Sequence, residues 1–473
     1  MKLDANACIY LVGGKISMSN ISKTIDPKIR TIVTILLLFS CFVSLASQTM
    51  MVTALPVIEH EMNTSLNLVQ WLTTGYTLMI GIITPLSSNM YEKFKNRTIF
   101  LSTIATFIVG TLIGCFATNF WILLLARLIQ ACAGGILMSF QMTTMISIYP
   151  LQKRGTILGM SSLVIAFGPA IGPTLSGWII NAFSWRYIFI FVLPMMIIVW
   201  LIGYFVFPNF TQPKDIKIDL TSVSLSLVGA TLTLASLTFF ETTPMIGWVM
   251  LLVGLGILTV FVKRQLKLKQ PMLKVQLFKN RSFRLMTLVG ICAFMVLIGT
   301  EQMLPIFTQN VLHLNSMVSG MILLPGAIAN ALCAALVGRL YDKHGPKYLI
   351  ISGGILMLIA AIPFVMISKQ TPVWLITVAY MLRMVGNALV FSPAMSEAFI
   401  DVKPDEVSHA TALNNSLRQS FGASSITILV VLADLPASFV SGMRLSMWTT
   451  VLLVCLMMFF FILYLRQSPR KDA

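Results

Sequence analysis

Four ionisable residues stand where hydrocarbon would be expected: Glu301 in CAFMVLIGTEQMLPIFTQNV, Arg127 in LLLARLIQACAGG, Arg383 in AYMLRMVGNALVF, and Arg418. Loss of hydration penalises the charged form of an acid. Glu301, away from both ends of its apolar run and followed by Gln302, therefore suits uptake and release of a proton. Its neutral form would tolerate apolar neighbours, and its anion would attract a lipophilic cation. The plainer reading is a glutamate hydrogen-bonded between helices. A mid-helix arginine costs about 2.5–3.5 kcal/mol on insertion scales, so it should face a bundle interior beside a partner. Arg127 cannot carry a proton, but it can tune a carboxylate or hold an anion. Gln130 lies one turn on, facing the same way. Glu301 and Arg127 are the expected proton-coupling pair. Gln130, Gln302 and Arg383 are the expected polar lining of a substrate cavity.

Such residues need helices that place and move them. Residues Gly155 to Trp178 read GTILGMSSLVIAFGPAIGPTLSGW, apolar enough to cross a bilayer yet dense in glycine, Gly159 included. Gly168 and Gly172 share one helical face, where a missing side chain lets another helix approach closely. Pro169 and Pro173 each free a carbonyl one turn earlier and are expected to kink the helix. A bent, closely packed span suits two halves that rock against each other. A tightly packed structural helix is the bland alternative.

Two polar loops repeat. SNMYEKFKNRTIF (Ser88–Phe100) and GRLYDKHGPKYLI (Gly338–Ile350) each precede a span, with Glu92 in the first where the second has Asp342. The segments around Arg127 and Arg383 echo each other at a similar offset of roughly 250 residues, which points to duplicated halves of about six spans. Asp342 lies near a helix N-terminus, where negative charge is favoured. Arg339, Lys343 and Lys347 surround it, a charge cluster that would break and reform as the halves move. Gly338 and Gly345 are expected to permit a close approach and a tight turn.

Composition decides the class. The chain has 473 residues, 57% hydrophobic and 10% charged, against roughly 25% charged in soluble domains. Apolar runs of about 20 residues, enough to span hydrocarbon, cover Thr31–Leu55, Leu68–Met90, Thr98–Ala117, Phe120–Met142, Gly155–Ile180, Trp185–Phe207, Leu220–Phe240 and Ile246–Val262. They continue over Leu285–Asn310, Met317–Leu340, Tyr348–Ile367, Val373–Phe399, Ala410–Ala433 and Leu445–Leu465. This predicts an all-α polytopic membrane protein of about fourteen transmembrane helices. Barrel strands would instead be about 10 residues of alternating polarity. The expected organisation is a tail (1–30), a six-helix bundle (31–208), two inserted helices (209–263), a basic connector (264–284), a second six-helix bundle (285–465) and a tail (466–473).

The formal charge of +17 lies between spans rather than on one face of a domain, so nucleic acid is not the expected partner. With both termini inside, only Arg186, Lys369 and Arg444 fall outside, and Arg127, Arg383 and Arg418 fall within spans. Both ends are therefore expected to be cytoplasmic. Met18 would itself make an ordinary start. The seven cysteines are scattered without CxxC spacing, and His313, His344 and His409 lie apart in loops, so no metal site is expected. Glu59, His60, Glu61 and Asp434 sit at span ends and read as solvated. No nucleotide-binding loop or catalytic triad spacing appears, so neither ATP drive nor an enzyme is expected.

At these residues the chain resembles the major facilitator superfamily, and specifically its fourteen-span drug:proton antiporters of the EmrB/QacA-like group. GRLYDKHGPK (Gly338–Lys347) looks like the family's cytoplasmic loop motif, and Ser88–Arg97 like a degenerate first copy. RLIQACAGG (Arg127–Gly135) resembles the fourth-helix motif linked to proton coupling. GMSSLVIAFGPAIGP (Gly159–Pro173) resembles the fifth-helix motif that marks exporters, and WRYIFIFVLP (Trp185–Pro194) the start of the sixth helix. The resemblance implies two pseudo-symmetric six-helix bundles plus two inserted central helices. One departure matters: Ser47-Gln48-Thr49 precedes Ala54-Leu55-Pro56 where members usually carry an acid. Glu301 would inherit that role.

The expectation is therefore a proton-coupled multidrug efflux antiporter of the bacterial cell membrane. It would exchange protons for a small amphipathic or antimicrobial compound and need no cofactor beyond the proton gradient. Its partners would be the lipid bilayer, its substrate, protons and, conceivably, an accessory export protein. Export of an endogenous lipid or metabolite is the nearest alternative, and a non-transporting sensor or scaffold the alternative of another class.

Overall fold

Inside hydrocarbon the backbone finds hydrogen-bond partners only within its own helix, so every long apolar run here folds as one. The computed structural model describes residues 26–149, 151–210, 213, 219–268, 271–402, 406–436 and 438–467. The N-terminal tail before residue 26, with Met18 in it, lies outside these. So do the side chains of Glu92, Pro169 and Asp342 and the surroundings of Gly159.

The helices are α1 Pro27–Glu61, α2 Trp71–Lys93, α3 Asn96–Cys115, α4 Phe120–Ile148, α5 Leu151–Ala182 and α6 Arg186–Val206. Then follow α7 Leu220–Thr242, α8 Pro244–Lys267 and α9 Arg281–Asn310. The segment Ser316–Val365 is divided by Gly345 into two arms, α10 before it and α11 after it. The last three are α12 Val373–Ala398, α13 Val407–Asp434 and α14 Phe439–Gln467. Thirteen described segments are long and apolar enough to cross a membrane, and α5 adds a 32-residue helix. Gly345 turns the chain at φ 66°, the left-handed region that favours glycine, so the expected tight turn is there.

Starts are fixed by side-chain caps. Asp26 accepts from Lys28 N with Pro27 at the first turn, and Asn119, Asn280 and Asn315 accept from Ile122, Phe283 and Val318 N. Capping beyond the apolar stretch explains why α1 begins before the expected span.

One core binds α1 to α3, α4 and α6 through Phe100, Phe107, Phe140, Trp185 and Phe189. Two further clusters serve α9 to α14, one around Phe283, Met357 and Phe461, the other around Phe307, Phe364 and Tyr380. The halves meet along α5 with α10 and along α2 with α13. The inserted helices α7 and α8 pack chiefly on each other. Through Leu234, α7 touches Leu78 and Ile82 of α2 and Ala423 of α13, so it covers the seam on that side. Met245, Trp248 and Leu252 of α8 are exposed apolar side chains, as suits a lipid-facing surface.

Candidate functional site

The glycines of α5 position the first helix. A Cβ on Gly168 would lie 2.8 Å from Leu45 Cβ. One on Gly172 would overlap the Thr49 hydroxyl and lie 2.8 Å from Ala46 O. The expected close approach is real, and α1 is its partner. The helix is assigned continuously across Pro169 and Pro173. Further along, Gly177 abuts the Ser316 carbonyl, and Gly320 of α10 abuts the Pro173 carbonyl.

Held this way, α1 presents its backbone to Arg127, which is fully buried. Its Nη1 donates to Ser47 O (3.2 Å), Ser47 Oγ (3.3 Å) and Gln130 Oε1 (2.9 Å). Its Nη2 reaches Gln48 O (3.4 Å) and its Nε Leu72 O (3.4 Å). The Tyr76 ring lies 4.1 Å from the guanidinium carbon. Gln130 completes the set by donating to Thr111 Oγ1 at 2.8 Å. Every partner is neutral and belongs to the N-terminal half. The expected pairing of Arg127 with Glu301 is not what the structure builds. The reason is local: main-chain carbonyls of Ser47, Gln48 and Leu72, with the Ser47 hydroxyl and the Gln130 amide oxygen, take up the guanidinium donors.

The C-terminal half is arranged differently. Arg383, also fully buried, donates from Nη1 to Thr300 Oγ1 and from Nη2 to Thr450 Oγ1, both at 2.8 Å, over the Phe364 ring at 5.1 Å. Its Nε has no partner. Glu301, adjacent to Thr300, is 5% exposed, and among the described residues no hydrogen bond or ion pair reaches its carboxyl group. Tyr380 of α12 lies near enough to interact electrostatically with it. Nε2 of Gln302 is buried and unpartnered, as is Oδ1 of Asn387. Gln130, Gln302 and Arg383 were expected to line a cavity. In this conformation they are 0%, 1% and 0% exposed.

A residue that the sequence places within a span, without assigning it a role, completes this half. Arg418 of α13 is 7% exposed and lies over the neighbouring rings of Phe294 (5.0 Å) and Phe391 (4.9 Å), whose centroids are 6.5 Å apart. The signal for it was available, because an arginine inside a span is a functional candidate by default.

The two ends of the molecule differ. Where Glu61, Asn310 and Asp434 lie, Asn67 Nδ2 donates to Asp434 (3.0 Å), Asn310 Nδ2 to Glu59 (3.4 Å), Gln309 Nε2 to Thr53 O (3.1 Å) and Thr174 Oγ1 to Gly320 O (3.0 Å). All four join the halves. Glu61 meets Arg186 at 2.6 Å and the Trp185 Nε1 at 2.7 Å. These acids are thus engaged rather than merely solvated. At mid-depth Ser416 Oγ donates to Gly81 O at 2.6 Å. At the basic end α10 is uncovered: Leu336, Gly338, Arg339 and Leu340 are exposed, as are Lys343 and Lys347. A Cβ on Gly338 would meet nothing within 4 Å, so the close approach expected there is absent in this conformation.

Two helical halves joined at one end, with buried ionisable groups along their seam, define a polytopic membrane protein of the transporter kind. The Major Facilitator Superfamily model matches residues 37–427. An uncharacterized MFS-type transporter of Bacillus subtilis (strain 168), YcnB, is 38% identical over 408 residues, covering 85% of this chain and 86% of that protein. The lincomycin resistance protein LmrB of Listeria monocytogenes serovar 1/2a is 34% identical over 402 residues, 84% of each chain. Among solved structures, the human organic anion transporter MFSD10 (TETRAN) superposes with a TM-score of 0.62 at 13% identity, over 92% of this chain and 100% of that one. The chain belongs to the major facilitator superfamily and is a multi-pass bacterial membrane transporter.

Proposed function

We propose that the protein is a proton-coupled exporter that expels amphipathic antimicrobial compounds by alternating access, with both termini in the cytoplasm. The observation that carries this reading is Glu301, an acid withdrawn from water with no described hydrogen-bond partner. A structural glutamate would be tied between helices. One left unpaired can exchange a proton when the seam opens, and a neutral form makes its burial tolerable. Arg127, hydrogen-bonded within its own half, holds α1 in place and bears on proton coupling through that helix rather than by touching Glu301. The exposed basic end, with Gly338 uncovered, fits an inward-facing state. Closing the loops Ser88–Arg97 and Gly338–Lys347 over the seam would then produce the outward-facing one. Similarity to a lincomycin resistance protein supports an antimicrobial cargo.

The test is proton movement in liposomes holding purified protein, across cationic, neutral and anionic amphiphiles with lincomycin among the probes. Substrate-driven proton flux in wild type that is lost in Glu301→Gln supports antiport through Glu301. Equal flux in both removes Glu301 from the coupling site. Transport of a probe with no proton movement overturns proton coupling.

A further inference from the structure

Arg418 stands apart from the two other arginines inside the spans. Arg127 and Arg383 have their charges answered by oxygen atoms, whereas no carboxylate and no hydrogen-bond acceptor meets Arg418 among the described residues. Its Nε is buried without a partner. Two aromatic faces hold the guanidinium. Such contacts are too weak to replace the hydration of a cation. Snorkelling does not relieve the cost either, because Arg418 lies eleven residues into α13, about 16 Å along the helix from its basic end. On α9 the acid is Glu301, seven residues beyond Phe294 on the same stripe and so about 10 Å farther along the axis, and on α12 it is Glu397, six residues beyond Phe391, whose two oxygens accept from Tyr341 and Tyr464. A compensating charge within this half is therefore out of reach.

The position adds the second part of the argument. Arg418 lies beside the seam between the halves. The next residue, Gln419, points its Nε2 at the Met138 sulfur of α4 across it, at 4.0 Å, and its Oε1 is buried without a partner. One turn on, a Cβ at Gly422 would fall 2.7 Å from the Phe294 ring and 3.8 Å from Thr77 of α2. Two rings thus flank a planar, fork-shaped donor set that matches a carboxylate, sulfonate or phosphate in two-point fashion, one residue from a side chain that reaches across the seam.

We infer that Arg418, resting on the Phe294–Phe391 ring pair beside the seam between the halves, is the binding site for the anionic group of an amphipathic solute with an apolar or aromatic body. This rests on the exporter reading for its destination, as the substrate subsite that complements Glu301, but its evidence is binding alone.

The experiment uses the full-length protein in phosphatidylcholine nanodiscs and four probes sharing one ring system: 2-naphthoate, 2-naphthalenesulfonate, 2-naphthalenemethanol and (2-naphthylmethyl)trimethylammonium. Affinity is read calorimetrically without any proton gradient, so failure of proton coupling at Glu301 leaves this readout unmoved. The expected result is at least tenfold tighter binding of the two anions than of the alcohol in wild type. Arg418→Gln should erase that preference, and Arg418→Lys, which keeps the charge but not the fork, should retain only part of it. The wild-type panel needs no mutant, so misfolding of a variant does not remove the test. Equal affinity across the four probes, or an unchanged anion preference in Arg418→Gln, overturns the inference. Repeating the titration with phosphatidylglycerol in the disc separates the sources of the anion. Unchanged naphthoate affinity supports a solute site, and its abolition would assign Arg418 to a lipid headgroup instead.

Discussion

Arg127 and Arg383 occupy matching places in the two halves, and their surroundings diverge. Arg127 donates to five oxygens, and its neighbour Gln130 is bonded at both ends. Arg383 reaches two hydroxyls and keeps an unpartnered Nε, beside a glutamate and a glutamine that are also unfilled. The difference teaches where each half spends its polarity. The N-terminal half uses buried polar groups to fix a first helix against a glycine-lined fifth. The C-terminal half leaves them available, which is costly in hydrocarbon and makes sense only where a proton or a ligand comes and goes.

The comparison breaks most visibly at Gly172. A leucine there drives carbon into the Thr49 hydroxyl and the Ala46 carbonyl. A loss of about 3 kcal/mol or more is expected, seen as collapse of folded yield and thermal stability in detergent. Wild-type-like stability would show that α1 and α5 are not locked. Next come the arginines. Lysine keeps the charge but not the fork, so Arg127→Lys should cost about 2–4 kcal/mol and Arg383→Lys about half that, by denaturant titration in micelles. Equal costs would erase the asymmetry.

The glutamines sharpen it further. Gln130→Leu leaves Arg127 and Thr111 short of partners and should cost about 2 kcal/mol, whereas Gln302→Leu removes an amide nitrogen that bonds to nothing and should be near neutral. The same unfolding assay decides between them.

The smallest effect serves as a control outside both centres. Asp219 caps α7 and meets Arg264 of α8 at 3.0 Å, and that hydrogen bond holds its carboxyl below the usual range. A depressed folded value means the contribution is present above the unfolded carboxylate range near pH 4 and is lost as pH falls through the lower folded value. The pair is partly exposed, so Asp219→Asn should cost at most about 1 kcal/mol at pH 7. In a pH series of melting curves that deficit should vanish in acid. A deficit that persists there would assign the effect to capping rather than charge.

Much of this architecture was legible in the sequence, because span length, glycine spacing and repeated loops are local properties that the bilayer enforces directly. The turn at Gly345 and the close approach at Gly168 and Gly172 could be read in that way. What could not be read was partnership. Asn67 finds Asp434, and Thr174 finds the Gly320 carbonyl, across separations that no local pattern records. The partners of Arg127 were illegible for a related reason: three of its five acceptors are main-chain carbonyls, which every residue carries and no sequence pattern marks. Gly338 was read as a contact, yet whether a contact exists there depends on which end of the seam is closed.

The central claim is that Glu301 is the group that gains and loses the proton. Infrared difference spectroscopy of the protein in lipid, taken through a pH titration with Glu301→Gln beside wild type, tests it most directly. The account predicts a protonated-carboxyl band in wild type that disappears as pH rises and is missing from Glu301→Gln. The same band with the same titration in both proteins would contradict it.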